Sequence, residues 1–186
     1  MKRVRLMAIP LLGVLMGIVL LLPLSAGAAS SSTAASQAST TCSNTATCPV
    51  TGTVTNRHGH AIGTFTGTLT ITQFAVQNGQ IVAQGTLSGT ALDKDGGVIA
   101  TMSNKAVTVP VSIDPTCTVL TLTLGPLDLN LLGLMVHLNQ VVLTITANPS
   151  GGILGQLLCS LAGTPPSDLQ TIINLLNQIL AILQGL

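Results

Sequence analysis

CTVLTLTLGPLDLNLLGLMVHLNQVVLTITANPSGGILGQLLCSLAG, residues Cys117 to Gly163, decides the fold. After its first cysteine it alternates apolar and polar residues. Leu120, Leu122 and Leu124 share one face. Gly125-Pro126 breaks the run and shifts the parity, so Leu127, Leu129 and Leu131 continue it one residue out of step. Leu134, Val136 and Leu138 then alternate with Met135, His137 and Asn139, and after Gln140 the apolar set becomes Val141, Leu143 and Ile145. A period of two is the mark of strands with one face buried. Asn148-Pro149-Ser150-Gly151-Gly152 ends the extended runs. Ile153, Leu154, Leu157, Leu158 and Leu161 then follow helical spacing. Cys159 rides on this segment, and a Cys117–Cys159 disulfide is expected to tie the helix to the sheet.

Toward the C-terminus, Gly163-Thr164-Pro165-Pro166 ends the first helix. Ser167, three residues before Gln170, reads as a capping box with Asp168 in the first turn. A second helix is predicted from Asp168 to about Gln184. It carries nine large aliphatic side chains and a narrow uncharged stripe of Gln170, Asn174, Asn177, Gln178 and Gln184. Leaving those aliphatics in water would forfeit roughly 14–27 kcal/mol gross, more than the ~5–15 kcal/mol net stability of a typical domain. The helix must therefore pack on the sheet, on a copy of itself or into lipid.

Toward the N-terminus, Val107, Val109, Val111 and Ile113 alternate with Thr108, Pro110, Ser112 and Asp114. Pro110 cannot donate to a ladder, which predicts an edge strand or a bulge. Thr64, Thr66, Thr68, Thr70 and Thr72 oppose Phe65, Gly67, Leu69 and Ile71, the pattern of a half-buried antiparallel strand. Asn78-Gly79 predicts a type I′ hairpin, and its partner strand, Ile81 to Leu92, is rich in Gly and Ala. That composition suggests strong curvature or the close approach of something bulky. Asp93-Lys94-Asp95-Gly96-Gly97 is a turn, Val50 to Thr55 another strand, and Asn56-Arg57-His58-Gly59 the turn after it. The predicted fold is mainly β: an antiparallel β-barrel or β-sandwich with two C-terminal α-helices packed on it.

The 186-residue chain begins with basic Lys2, Arg3 and Arg5, an apolar stretch from Leu6 to Leu24, and Ala26-Gly27-Ala28. This is the pattern of a cleaved signal peptide over residues 1–28, with an uncleaved anchor as the alternative. Residues 29–48 read as a Ser/Thr/Ala leader ending in a small cysteine loop, and residues 49–186 as one β-rich domain. Without the signal, Arg57, Lys94 and Lys105 face five aspartates, a net charge of −2. No basic patch exists, so nucleic acid is not an expected partner. The membrane is expected to be met only through the signal segment. Four cysteines in an exported chain favour two disulfides. Three pairings are open to Cys42, Cys48, Cys117 and Cys159, and 42–48 with 117–159 is favoured because each link is geometrically simple.

The runs Leu124 to Leu138 (LGPLDLNLLGLMVHL), Leu143 to Thr146 (LTIT) and Gly152 to Gly163 (GILGQLLCSLAG) together look like a recurring module. The module is similar to the C-terminal half of small predicted secreted bacterial proteins of unknown function and covers roughly a quarter of the chain. The resemblance implies an exported bacterial-type protein with its cysteine on that helix, and it implies no activity.

Chemistry-bearing patterns are sparse. His58 and His60 offer two imidazoles in a turn, too few ligands for a metal site. Asp93-Lys94-Asp95-Gly96 opens like a calcium loop, but the chain has no Glu to close an EF-hand. His137 needs a nucleophile and an orienting acid to act as a base, and Asp128 is an available acid. No catalytic residue, cofactor or metal is expected, and the chain is not expected to be an enzyme. The expected role is a secreted or cell-envelope structural or interaction protein, with a protein partner or self-association. The alternative is an extracellular carrier of an apolar small molecule or lipid, with Phe65, Leu69, Ile71 and Leu87 facing the ligand.

Overall fold

The computed structural model describes residues 40–131 and 133–185, so the stretch read as a signal peptide and most of the stretch read as a leader lie outside the described residues. The chain is mainly β. Nine strands run in order: β1 (Thr40–Ser43), β2 (Thr47–Thr55), β3 (Ala61–Gln77), β4 (Gln80–Asp93), β5 (Val98–Pro115), β6 (Val119–Leu124), β7 (Leu127–Leu131), β8 (Leu134–Leu138) and β9 (Val141–Thr146). Helices α1 (Gly152–Ala162) and α2 (Leu169–Gln184) follow. The strands form one sheet, ordered β1-β9-β6-β5-β4-β3-β2-β8-β7, curled into a half-barrel. Every neighbouring pair is antiparallel except β1 and β9, which run parallel with Cys42 opposite Leu143. β1 lies inside the stretch read as leader and cysteine loop. Composition alone hides it, because its partner is the distant edge of β9. Asn44 reinforces the pairing through Oδ1, which accepts from Thr146 N at 2.9 Å.

The β3–β4 hairpin turns at Asn78 and Gly79, whose φ angles of 53° and 75° are those of a type I′ turn. A register shift between Ile71 and Gln73 leaves Thr72 unpaired in the ladder. One extra residue reverses the parity, so the buried set passes from Phe65, Leu69 and Ile71 to Phe74. Further back, Gly67 pairs with Gly89, and the Phe65 ring lies over them. A Cβ on Gly89 would come within 2.5 Å of that ring. The bulky group that the Gly-rich strand makes room for is therefore Phe65 itself.

Pro110 is in neither an edge strand nor a bulge, which corrects the sequence expectation. β5 is interior, and Pro110 stands where it passes from one neighbour to the next. Its last pair with β4 is Val82↔Pro110, and its ladder with β6 runs on from Val111↔Leu124. The Pro110 carbonyl points toward β6 and accepts from Gly125 N at 2.9 Å, so the missing N–H falls at the changeover. The first half of β5, Val98 to Lys105, escaped prediction because it carries no clean alternation.

The inner face of the sheet is filled from within the chain. Leu176, Ile179, Leu180 and Leu183 of α2 meet Phe74, Leu120, Leu122, Leu143 and Ile145. Leu158 and Leu161 of α1 are buried, while Ile153 is 69% exposed. The N-cap of α2 is Asp168, not Ser167: Asp168 Oδ1 accepts from Thr171 N at 3.1 Å. Ser167 is one residue too early for its hydroxyl to serve the first free amides of a helix that starts at Leu169.

Candidate functional site

Directly paired residues of neighbouring strands project from the same face of a sheet. The register therefore lays out the outer face of β5-β4-β3-β2-β8-β7 in rows. One row is Thr101, Thr90, Thr66, Thr51. It is prolonged by Asn139, whose Nδ2 donates to Thr51 Oγ1 at 3.2 Å. A second runs Thr86, Thr70, Thr47, and a third Ser88, Thr68, Pro49. Period-two threonines in each strand and in-register pairing between strands thus combine into a continuous hydroxyl-bearing surface that carries no charge along these rows.

One row ends differently. Thr64, Thr53, His137 and Asp128 follow one another across β3, β2, β8 and β7. His137 Nδ1 lies 2.5 Å from Asp128 Oδ1. The side chains are 38% and 69% exposed. The next row toward the β7–β8 turn pairs Thr55, Met135 and Asn130. Met135 is 40% exposed. The sequence offered Asp128 as an acid available to His137, and the β7–β8 hairpin brings the two together. Thr53 stands on the other side of His137, but the face is open and encloses no reaction space of the kind that strengthens a base or an oxyanion site. What it presents is a histidine–carboxylate pair beside an exposed thioether.

The other sequence candidates are placed as follows. Disulfides join Cys42 to Cys48 and Cys117 to Cys159, the favoured pairing. Phe65, Leu69, Ile71 and Leu87 are all buried in the core, where the cavity beside Leu69 and the one under α2 hold only about 10 Å³ each. His58 and His60 are exposed in a turn whose amides both donate to Asn56 Oδ1, at 2.9 and 3.1 Å. Asp93 Oδ1 accepts from Asp95 N and Gly97 N, at 2.9 and 2.7 Å, so this carboxylate builds its own turn. Among the described residues no three His, Cys, Asp or Glu side chains gather as a metal cluster. A cavity of about 490 Å³ opens at the changeover in β5, lined by Gln80, Ile81, Val111, Ser112 and Gln140 among others. A second, of about 170 Å³, lies between Ile81, Ile113, Leu161, Leu169 and Ile172. Nothing in the strand periodicity signalled either one, because both arise from the end of the β4–β5 ladder.

Among the described residues no helix is long and apolar enough to cross a membrane. No protein-family model matches the chain, and neither a curated protein nor a solved structure matches it significantly.

Proposed function

We propose that the protein is an exported structural or interaction module of the cell envelope or extracellular space, working through the outer face of its sheet. The observation that carries this reading is the row Thr101–Thr90–Thr66–Thr51, set in register across four strands and left uncovered while both helices lie elsewhere. A surface of hydroxyls and methyls without charge suits a neutral partner, such as a polysaccharide or another uncharged protein face. Two disulfides fit an oxidising compartment, and the signal pattern of residues 1–28 supplies the export route.

Cosedimentation of the oxidised protein with isolated envelope and insoluble polysaccharide fractions tests the reading. Retention should persist in 1 M salt, because uncharged contacts are not screened on the order of a Debye length as ion pairs are. Thr66→Lys and Thr90→Lys should abolish it. A protein that remains in the supernatant with every fraction, as a bare monomer, would sink the proposal.

The carrier reading keeps one supporting observation, the paired cavities that meet at Ile81. It would place an apolar ligand there, against Ile113, Leu161 and Ile172, and not at Phe65, Leu69, Ile71 and Leu87. Native mass spectrometry that retains a lipid-like mass, lost in Ile81→Gln, would establish it.

A further inference from the structure

We propose that the cavity of about 490 Å³ at the changeover in β5 is a binding site for a neutral sugar. The inference rests on the reading of the protein as a module for neutral partners, and it names the group that is recognised. The volume falls within the roughly 300–1,000 Å³ of ordinary small-molecule sites. Four uncharged hydrogen-bonding side chains line it, from four separate places in the chain. Ser112 and Thr123 are a directly opposed pair of β5 and β6, so they share a face. Gln80 opens β4 just after the Asn78-Gly79 turn. Gln140 lies in the link between β8 and β9, where its carbonyl accepts from Thr40 N at 3.2 Å. Among the described residues none of these four side chains is engaged in a hydrogen bond.

Each of the two amides both donates and accepts, and so does each hydroxyl. The neighbouring hydroxyls of a sugar present the same pattern. No lining residue is charged, so an ionic ligand finds no counter-charge. A wholly apolar ligand would take the four polar groups out of water and give them no partners, which is costly. The apolar part of the lining suits the C–H face of a sugar ring. Pro110 and Pro126 bring rings of fixed shape. Gly125 lies so close to Pro110 that a Cβ on it would come within 3.2 Å of Pro110 Cγ. The walls are thus preformed, and little ordering accompanies binding. The chain has no Trp or Tyr to stack on a ring, so recognition falls to hydrogen bonds and the expected affinity is millimolar. Ile81 also lines the neighbouring apolar cavity, with Ile113, Leu161 and Ile172. The sugar can therefore come from a glycan, or from the head of a glycolipid whose chain continues past Ile81.

The test is an NMR titration of the full oxidised chain with maltotriose, cellotriose and N,N′-diacetylchitobiose. Methyl glucoside, and octyl glucoside below its micellar concentration, form the lipid-linked arm. At least one of these sugars should shift the side-chain amide signals of Gln80 and Gln140 together with the backbone signals of Ser112 and Thr123. Gln80→Ala and Gln140→Ala should each weaken binding by roughly three- to tenfold while the thermal midpoint holds. His58→Ala should bind as the parent does. Tighter binding of octyl than of methyl glucoside, with the gain lost in Ile113→Gln, assigns the glycolipid source; equal binding of the two assigns the glycan. The proposal is overturned if no saccharide moves those signals, or if the double variant Gln80→Ala/Gln140→Ala binds as tightly as the parent. Cosedimentation with polysaccharide that persists undiminished in the double variant would remove this site alone and leave the surface reading standing. A parent that fails to cosediment would remove both.

Discussion

The carboxamide of Asn177 grips the backbone of Phe74 from both sides. Its Oδ1 accepts from Phe74 N at 2.8 Å, and its Nδ2 donates to Phe74 O at 3.0 Å. Gln184 adds a third contact, Nε2 to Ile71 O at 3.1 Å. β2 pairs with β3 only as far as Thr47↔Thr70, so the last residues of β3 would otherwise show an open edge on that side. Helix α2 stands in for the missing strand, which is one way a sheet edge is protected. Two residues of the uncharged stripe of α2, Asn177 and Gln184, thus dock on backbone, while Gln170, Asn174 and Gln178 stay exposed and the aliphatic face fills the half-barrel.

Asn177→Leu should therefore destabilise the fold by about 2–4 kcal/mol, since it leaves a part-buried N–H and C=O without partners. Asn177→Asp keeps the acceptor but loses the donor, and should fall between the parent and Asn177→Leu. Urea denaturation midpoints check the order. A midpoint for Asn177→Leu equal to that of the parent would mean that water replaces the clasp at no cost.

The two disulfides should contribute unequally. Cys117–Cys159 closes a separation of 42 residues and Cys42–Cys48 one of 6. Loop-closure entropy gives about 4 kcal/mol for the first and about 2 kcal/mol for the second. The paired alanine variants, compared by chemical denaturation, should show the larger loss for 117/159. Equal losses would show that chain entropy does not govern either link.

Phe65 and Gly89 should be energetically coupled. Phe65→Ala removes a buried ring and should cost about 3–5 kcal/mol. Gly89→Ala places a methyl 2.5 Å from the Phe65 ring and 2.7 Å from Gly67 Cα, so it should also destabilise. Shortening the ring to Leu relieves the first contact but not the second. The double variant Phe65→Leu/Gly89→Ala should then be more stable than the sum of the single losses by on the order of 1 kcal/mol, readable from thermal or denaturant midpoints.

Acid should loosen α2 first at its N-terminus. The hydrogen bonds from Thr171 hold the Asp168 carboxyl below its ordinary value of 3.8. A carboxyl with a depressed folded pKa contributes stability above the unfolded value, and loses it as pH falls through the folded one. Asp168→Asn keeps an amide oxygen for the cap without the titration. Relative to that variant, the parent should lose thermal stability as the pH is lowered below about 4. Parallel curves for the two proteins down to pH 2 would remove the carboxylate from the account.

The sequence by itself determined most of the strands, though not β1 or the first half of β5, together with the hairpin at Asn78-Gly79 and both helices. Each is a local matter of period two, period 3.6 or turn chemistry, and each is written in adjacent residues. The parity shifts at Gly125-Pro126 and Gln140 were legible for the same reason, and they mark the ends of β6 and β8. The tertiary structure alone decided the rest. β1 became a strand because the edge of β9 was there to receive it. Pro110 could sit inside the sheet because the ladder changes partner at that residue. Asn177 met Phe74 across 103 positions of sequence. Four threonines met in a row because register couples residues far apart in the chain. Pairing register depends on which backbone edges remain open once the core has closed, and no window of sequence contains that information.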